Sequence, residues 1–437
     1  MPDFDVRAYG AVGDGTANDA PGIQRAIDAC HAAGGGRVVV PAGRTYRSGG
    51  VELKSNVELH VERGATLLCS GDPADFPYRF PNYGGAPFIA AHRAERVAIT
   101  GAGVIDGNGR AYVDEDLGHI YRAKRGRPFT VFLVGCRNVA IRDVEVRDGA
   151  VWTIRLSGCS DVVIHALRIL NDLKMPNSDA IDLDRCRNVR VSDCHLEAGD
   201  DCICLKATRE FDGYGPCENI TVTGCTLVST SAALIIGCEC KAPMRNIVFD
   251  ACVITRSHRG LAIHLSDESD VENVTFSNMI VETRLFHTKW WGRAEPIYVT
   301  AIPWNDRTGI GRVRNVRFVN VLARGENGVF VQGWDRSRIE GLLLENVRVE
   351  VTKTSKWPGG TIDIRPSPAD EGGPGPAREL PAQPTHGIFI ANATDVTVRN
   401  CQVAWGPNPP PYFGKALESR DVDGLVIDNL RGHDAHR

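Results

Sequence analysis

The sequence lacks any apolar stretch near the roughly 20 residues that a membrane-spanning helix requires, which excludes an integral helical membrane protein. It lacks basic runs. With 50 Lys and Arg against 54 Asp and Glu, the formal charge is −4 and no basic face stands out, so nucleic acid is not an expected partner. The opening MPDFDVRAYGAVGDG has neither a basic n-region nor an apolar h-region, so no secretory leader is expected. Zinc spacing is missing as well. Cys202-Ile-Cys204 and Cys238-Glu-Cys240 are separated by one residue instead of two to four, and no matching histidines accompany them, so no zinc site is expected. Methionines number only 4 and aromatics make up 7% of the chain, whereas 43% is hydrophobic and 24% charged, the balance of a soluble protein with a core.

What the chain has is a repeat. CRNVAIRDVEVRDG from Cys136, CSDVVIHALRILND from Cys159, CRNVRVSDCHLEAG from Cys186 and CENITVTGCTLVST from Cys217 share one pattern. MRNIVFDACVITRS from Met244, VENVTFSNMIVET from Val271, VRNVRFVNVLARG from Val313 and TDVTVRNCQVAWG from Thr394 continue it. Successive copies are mostly 23 to 31 residues apart. Shorter copies begin at Asn56 and Arg96, and a late one at Gly424. Each copy places Asn or Asp before Val or Ile and then alternates apolar with polar positions, the signature of a strand with one buried face. Such strands are too short to bury that face alone, so successive copies must stack. The period is too short for a strand–helix–strand unit. The expectation is an all-β chain, a right-handed parallel β-helix of roughly ten coils spanning 1–437 as a single domain. The recurring Asn138, Asn188, Asn219, Asn246, Asn273 and Asn315 suit a left-handed corner ahead of each strand. The 14 cysteines, most at equivalent places in the repeat, read as small core residues, and so many thiols favour a reducing cytoplasm.

An open stack needs a cap, and NDAPGIQRAIDACHAAG over 18–34 supplies one. Asn18 or Asp19 can cap a helix, Pro21 suits its first turn, and Ile23, Ala26, Ile27 and Cys30 share a face. Three stretches interrupt the repeat, 108–128, 284–312 and 353–385. The third is rich in Pro and Gly and reads as a surface loop. Trp290, Trp291, Tyr298, Trp304 and Trp357 gather in or beside the last two, where they either stack on sugars or anchor the loops.

Asn177-Ser178-Asp179-Ala180-Ile181-Asp182 is followed 21 to 22 residues later by Asp200-Asp201-Cys202. That offset places the two segments on adjacent rungs, about 4.8 Å apart. Three carboxylates then converge, and their repulsion favours an acid beside a base, the equipment for glycosidic cleavage. Calcium binding by an Asp-rich turn, or a plain solvated turn, is the alternative reading of the same cluster. Because Asp200 and Asp201 would face opposite sides of a regular strand, a bend is expected there.

These residues resemble glycoside hydrolase family 28, the polygalacturonase family of right-handed β-helices, over nearly the whole chain. The resemblance rests on FDVRAYGAVGDGTANDAPGIQRAIDAC, on GAGVIDGNG at Gly101–Gly109, on Arg127-Pro128, and on WTIRLSGCSDVVI from Trp152. The family's Asn-Thr-Asp-Gly-Ile-Asp motif matches residues 177–182 and its Asp-Asp-Cys motif matches Asp200–Cys202. It implies an inverting hydrolase without a cofactor, with Asp200 as general acid, Asp179 and Asp201 holding and activating water, and Asn177 shaping the pocket. Two motifs depart. Ser231-Ala232-Ala233 stands for the family's Gly-His-Gly, and Ala262-Ile263-His264 for its Arg-Ile-Lys. The two cations that bind a galacturonate carboxylate in the family are therefore replaced, which removes a bidentate clamp.

The expected activity is exo-acting hydrolysis of pectin-type or related plant oligosaccharides, with a sugar other than unsubstituted galacturonate at the cleavage site. Lys206, Arg259, His264, Trp291 and Glu295 are, with Asn177, the candidate substrate contacts. A polysaccharide lyase or an intramolecular glycosyl transferase on the same fold is the alternative, as is a non-catalytic carbohydrate-binding β-helix.

Overall fold

The computed structural model describes residues 2–76, 86–368 and 380–436. Residues 369–379 of the third interruption lie outside that description. The chain divides into two compact units, Met1–Ile203 and Cys204–Arg437. Both are built of stacked parallel β coils, the right-handed parallel β-helix class that the repeat predicts.

In the first unit three rows of strands run through the stack. One row contains Glu95–Thr100, Arg137–Arg142, Ser160–His165 and Arg187–Ser192, whose inward residues stack as Val97, Val139, Val162 and Val189 and again as Ile99, Ile141, Ile164 and Val191. A second row stacks Ile105, Val146, Ile169 and Leu196. The third stacks Leu133, Leu156 and Leu183. All of these side chains are buried. Each contributes about 1.5–3 kcal/mol relative to exposure, which repeated rung after rung offsets the entropy of ordering strands of three to seven residues. Cys136, Cys159 and Cys186 line one corner, fully buried, with the Cys159 and Cys186 thiols bonding to the carbonyls of Leu133 and Leu156 one rung back.

The cap helix spans Ala20–Ala32 and buries Ile23, Ala26, Ile27 and Cys30. Asn18 does the capping, accepting from the Ala20 N–H at 3.1 Å. Asp19 occupies the cap position, but its carboxylate accepts from the N–H groups of Val12 and Gly13 instead, tying the helix to the preceding turn. The first interruption forms a small antiparallel hairpin, Val113–Asp116 with Tyr121–Ala123, fastened by a Tyr121 hydroxyl to Asp172 at 3.0 Å.

In the second unit long strands turn corners without breaking: Val271–Thr283, Val313–Gly325 and Ile339–Val351. Phe249, Phe276 and Phe318 stack inside with ring centroids 4.7 and 4.9 Å apart. Asn219, Asn246, Asn273 and Asn315 all adopt left-handed backbone and pass side-chain hydrogen bonds from rung to rung at 2.6–3.2 Å. A second ladder, Asn278, Asn320 and Asn346, runs beside it. The second interruption contains a regular strand, Ile297–Ala301, paired between Arg259–Leu265 and Val329–Gln332. The third differs from a solvated loop: Ile362 and Ile364 pack on the cluster containing Tyr298, Phe330 and Phe389, and Asp363 is fully buried.

Candidate active site

The turn 199–202 follows the strand His195–Ala198 and belongs to no strand itself, so Asp200 and Asp201 escape the alternation that would send them to opposite faces. Main-chain bonds from Ala180 N to Asp201 O (2.9 Å) and from Ile181 N to Cys202 O (2.9 Å) stack this turn against the Asp179 segment. Carboxylate oxygens of Asp179 and Asp201 thereby come within 4.8 Å of each other. Both residues are buried, whereas Asp200 is partly exposed and accepts the Asn177 N–H at 3.2 Å. The close approach needs glycine at 199, where a Cβ would sit 2.4 Å from Met175 O and 2.7 Å from Asp172 O. Ser178 locks the same contact, donating to Met175 O while accepting the Gly199 N–H. Buried Asn171 holds the next rung, bonding Thr153 Oγ1, Ser178 O and Gly149 N.

Arg127 was absent from the sequence-based site. Its guanidinium donates to Ala150 O, Pro176 O and the side-chain oxygen of Asn177, the last at 3.1 Å. Burial pushes its pKa down and the charges of Asp179 and Asp200 pull the other way, so it lies in the field of both carboxylates. The only sequence signal was its place in the Arg127-Pro128 pair. Arg155, itself buried, pairs with Asp184 at 3.1 Å and lies 4.2 Å from the Trp152 ring centroid.

The remaining candidates belong to the second unit. Lys206 is buried and lies 3.3 Å from the Glu239 carboxylate. Arg259 and Glu295 pair with each other at 3.2 Å, only 3% and 1% exposed. The Arg259 guanidinium also donates to Asp363 O and lies 3.7 Å from the Tyr298 ring centroid, so it is committed to protein partners on three sides. His264 meets the same Tyr298 ring edge-on at 5.7 Å. Burial, reinforced by the Arg259 charge, pushes the His264 pKa down to about 3, so the imidazole is neutral at ordinary pH. Trp291 is half-buried, with the Arg365 guanidinium 4.9 Å from its ring centroid.

Asp363, in the stretch whose Pro- and Gly-rich composition predicts a surface loop, joins these groups. Its carboxylate accepts from Arg365 Nε and Nη2 (2.8 Å each) and from Gly292 N (2.7 Å), and its carbonyl accepts from Arg259 and Tyr298. Burial acts to raise its pKa, but the Arg365 bonds and the Arg259 charge hold it well below the usual carboxylate range. No period or motif marks such a residue, because its partners come from three separate stretches of chain.

Fold and site define a parallel β-helix that presents a carboxylate cluster on neighbouring rungs. The chain belongs to the glycosyl hydrolases family 28, whose sequence profile matches residues 30–358. All nine candidate residues fall inside that span, and Asp363 and Arg365 fall outside it. The chain is 28% identical over 276 residues to a "Probable polygalacturonase" of Vitis vinifera, covering 58% of this chain and 55% of the relative. It is 27% identical over 311 residues to an "Exo-poly-alpha-D-galacturonosidase" of Dickeya chrysanthemi, covering 59% and 51%. The chain thus spans about half the length of the curated relatives it matches. In fold it is similar to a hyperthermoactive exopolygalacturonase from Thermotoga maritima, with a TM-score of 0.71, 24% identity, and coverage of 80% of this chain and 87% of that one.

Proposed function

We propose that this chain is an inverting, exo-acting glycoside hydrolase of pectic or related plant oligosaccharides, and that its cleavage subsite takes a sugar other than unsubstituted galacturonate. The observation that carries the reading is the approach of Asp179 and Asp201 to within 4.8 Å, with Asp200 positioned through Asn177. Inverting hydrolases keep acid and base about 6.5–9.5 Å apart, with water beside the base. Asp179 and Asp201 are closer than that and act together on the water. Asp200, the more exposed carboxyl, protonates the glycosidic oxygen as the bond from the anomeric carbon breaks and its electron pair passes to that oxygen. Water attacks the anomeric carbon from the opposite face and yields its proton to the Asp179–Asp201 pair, giving a hemiacetal of inverted configuration.

Two features support the substrate departure. His264, at the position where the resembling motif has Lys, is a neutral imidazole, and Arg259 is engaged within the fold. Neither supplies a spare cation to a sugar carboxylate. The names of the Dickeya and Thermotoga proteins support exo action. The 14 thiols support a reducing, cytoplasmic setting.

The test is a panel of unsubstituted, methyl-esterified and xylose-bearing galacturonides, with the first-formed anomer read by proton NMR. Inverted product is expected, with a neutral or decorated sugar preferred, and Asp200→Asn should lower kcat by about 10²–10⁴-fold. A retained first anomer, an unsaturated product, or an active Asp200→Asn protein would overturn the reading.

A further inference from the structure

The second unit carries a cavity of about 310 Å³ whose walls include Glu282, Arg284, Arg324 and Thr354. That is near the lower limit of small-ligand pockets and suits one sugar residue. Its support is rigid. Buried Glu326 collects hydrogen bonds from Leu285 N (3.1 Å), Thr354 Oγ1 (3.0 Å), Ser355 N (3.0 Å), Ser355 Oγ (2.9 Å) and Lys353 Nζ (2.6 Å). Thr283 closes another wall through a bond to Ala294 O at 2.7 Å.

The charges in the walls are unequal. Arg324 sits between Glu282 and Glu350 in the strand register and pairs with Glu350 at 3.3 Å, so its charge is compensated. Arg284 is held by its main-chain N–H, which bonds Ser257 O at 2.9 Å. Among the described residues its guanidinium has no hydrogen bond and no ion pair, and it lies 5.7 Å from the Phe286 ring centroid. A guanidinium with no ion-pair partner, in a small cavity with a preorganised floor, matches a planar carboxylate. Thr354 donates its hydroxyl proton to Glu326, which leaves its oxygen to accept from a sugar hydroxyl.

We propose that this cavity binds the carboxylate-bearing residue of an acidic oligosaccharide, with Arg284 on the carboxylate and Thr354 on a ring hydroxyl. The choice of an acidic sugar as ligand rests on the carbohydrate substrate proposed above; the anion site itself does not. It gives the chain a means of holding a galacturonate-containing ligand through a residue outside the Arg-Ile-Lys position.

Trigalacturonate, neutral galactotriose and inorganic phosphate are titrated by calorimetry into the full Asp200→Asn chain, with and without Arg284→Ala or Arg284→Lys. Trigalacturonate binding is expected to weaken about tenfold or more on Arg284→Ala and to recover partly with Arg284→Lys. It should also weaken as salt rises, with galactotriose unaffected by either change. Equal trigalacturonate affinity in Asp200→Asn with and without Arg284→Ala would overturn the site. Phosphate binding that depends on Arg284 without trigalacturonate binding would replace the sugar with a simple anion. Arg284-dependent binding by a chain that hydrolyses nothing would preserve this site and remove the hydrolase reading.

Discussion

Asn177 donates its main-chain N–H to the Asp200 carboxylate at 3.2 Å, and it does so from a left-handed conformation, with φ near 56°. Asn tolerates that conformation because its short side chain bonds locally. Here the side-chain oxygen is taken by Arg127. The orientation of Asp200 therefore depends on a guanidinium 73 residues earlier in the chain.

Replacing Arg127 tests this coupling. Lys retains the charge but cannot reach Ala150 O, Pro176 O and Asn177 together. Arg127→Lys should lower kcat about 10- to 100-fold with little change in KM, the pattern of a lost positioning group. Arg127→Ala also removes a positive charge from the field of Asp179 and Asp200. The ionised carboxylates lose support, so both limbs of the pH–rate profile should move to higher pH. A general loss of stability would lower activity without moving the limbs, and an unmoved profile would reduce Arg127 to a structural role.

Replacing Asp363 tests whether the third interruption is part of the core. Its carboxylate and carbonyl bind two guanidinium groups, a hydroxyl and a main-chain N–H away from water. Removing one partner of a buried ion pair costs about 3–5 kcal/mol, because the other is left uncompensated. Asp363→Ala should therefore lower the urea midpoint by a large part of the total stability. Asp363→Asn, nearly isosteric, should lower it too, because an amide nitrogen cannot accept from Arg365. The native pKa is depressed, so the carboxylate's contribution is complete above the unfolded value near 3.9 and is lost only as pH falls below it. An Asp363→Ala protein with the wild-type midpoint would return this segment to the status of a surface loop.

The repeat was legible because each coil states it again. Alternation before and after every corner Asn gives strand, stacking and register from a local pattern, and the Asn219 to Asn315 ladder follows from the same letters. The aspartates were legible because their spacing equals one coil, so sequence offset becomes spatial adjacency. The Arg259–Glu295–Asp363 cluster obeys no such rule. Arg259 and Asp363 are separated by 104 residues and by two irregular stretches. The composition of the third stretch, rich in Pro and Gly, describes its backbone freedom but says nothing of Ile362 and Ile364 packing on the Tyr298 cluster. Charged residues there looked available for ligand because charge alone does not reveal a buried partner. Arg127 was hidden for the related reason that its three acceptors include two main-chain carbonyls, which leave no mark in a sequence.

His264 makes the pH dependence of folding specific. Its native pKa of about 3 lies below the unfolded value near 6.5, so between those limits the unfolded chain binds a proton that the native chain refuses. Stability from this group is complete above pH 6.5 and is lost as pH falls towards 3. Within that window one such group gives a slope approaching about 1.4 kcal/mol per pH unit. Buried His258, whose pKa burial also pushes down to about 3, adds a similar term. Urea unfolding at pH 7, 6, 5 and 4.5 is expected to show a midpoint that falls on acidification, and His264→Gln should flatten that fall by about one proton's worth. If the slope of His264→Gln matched that of the wild type, the imidazole would have to be protonated in the native state. It would then be the missing cation at the Ala262-Ile263-His264 position, and unsubstituted galacturonate would return as the expected sugar.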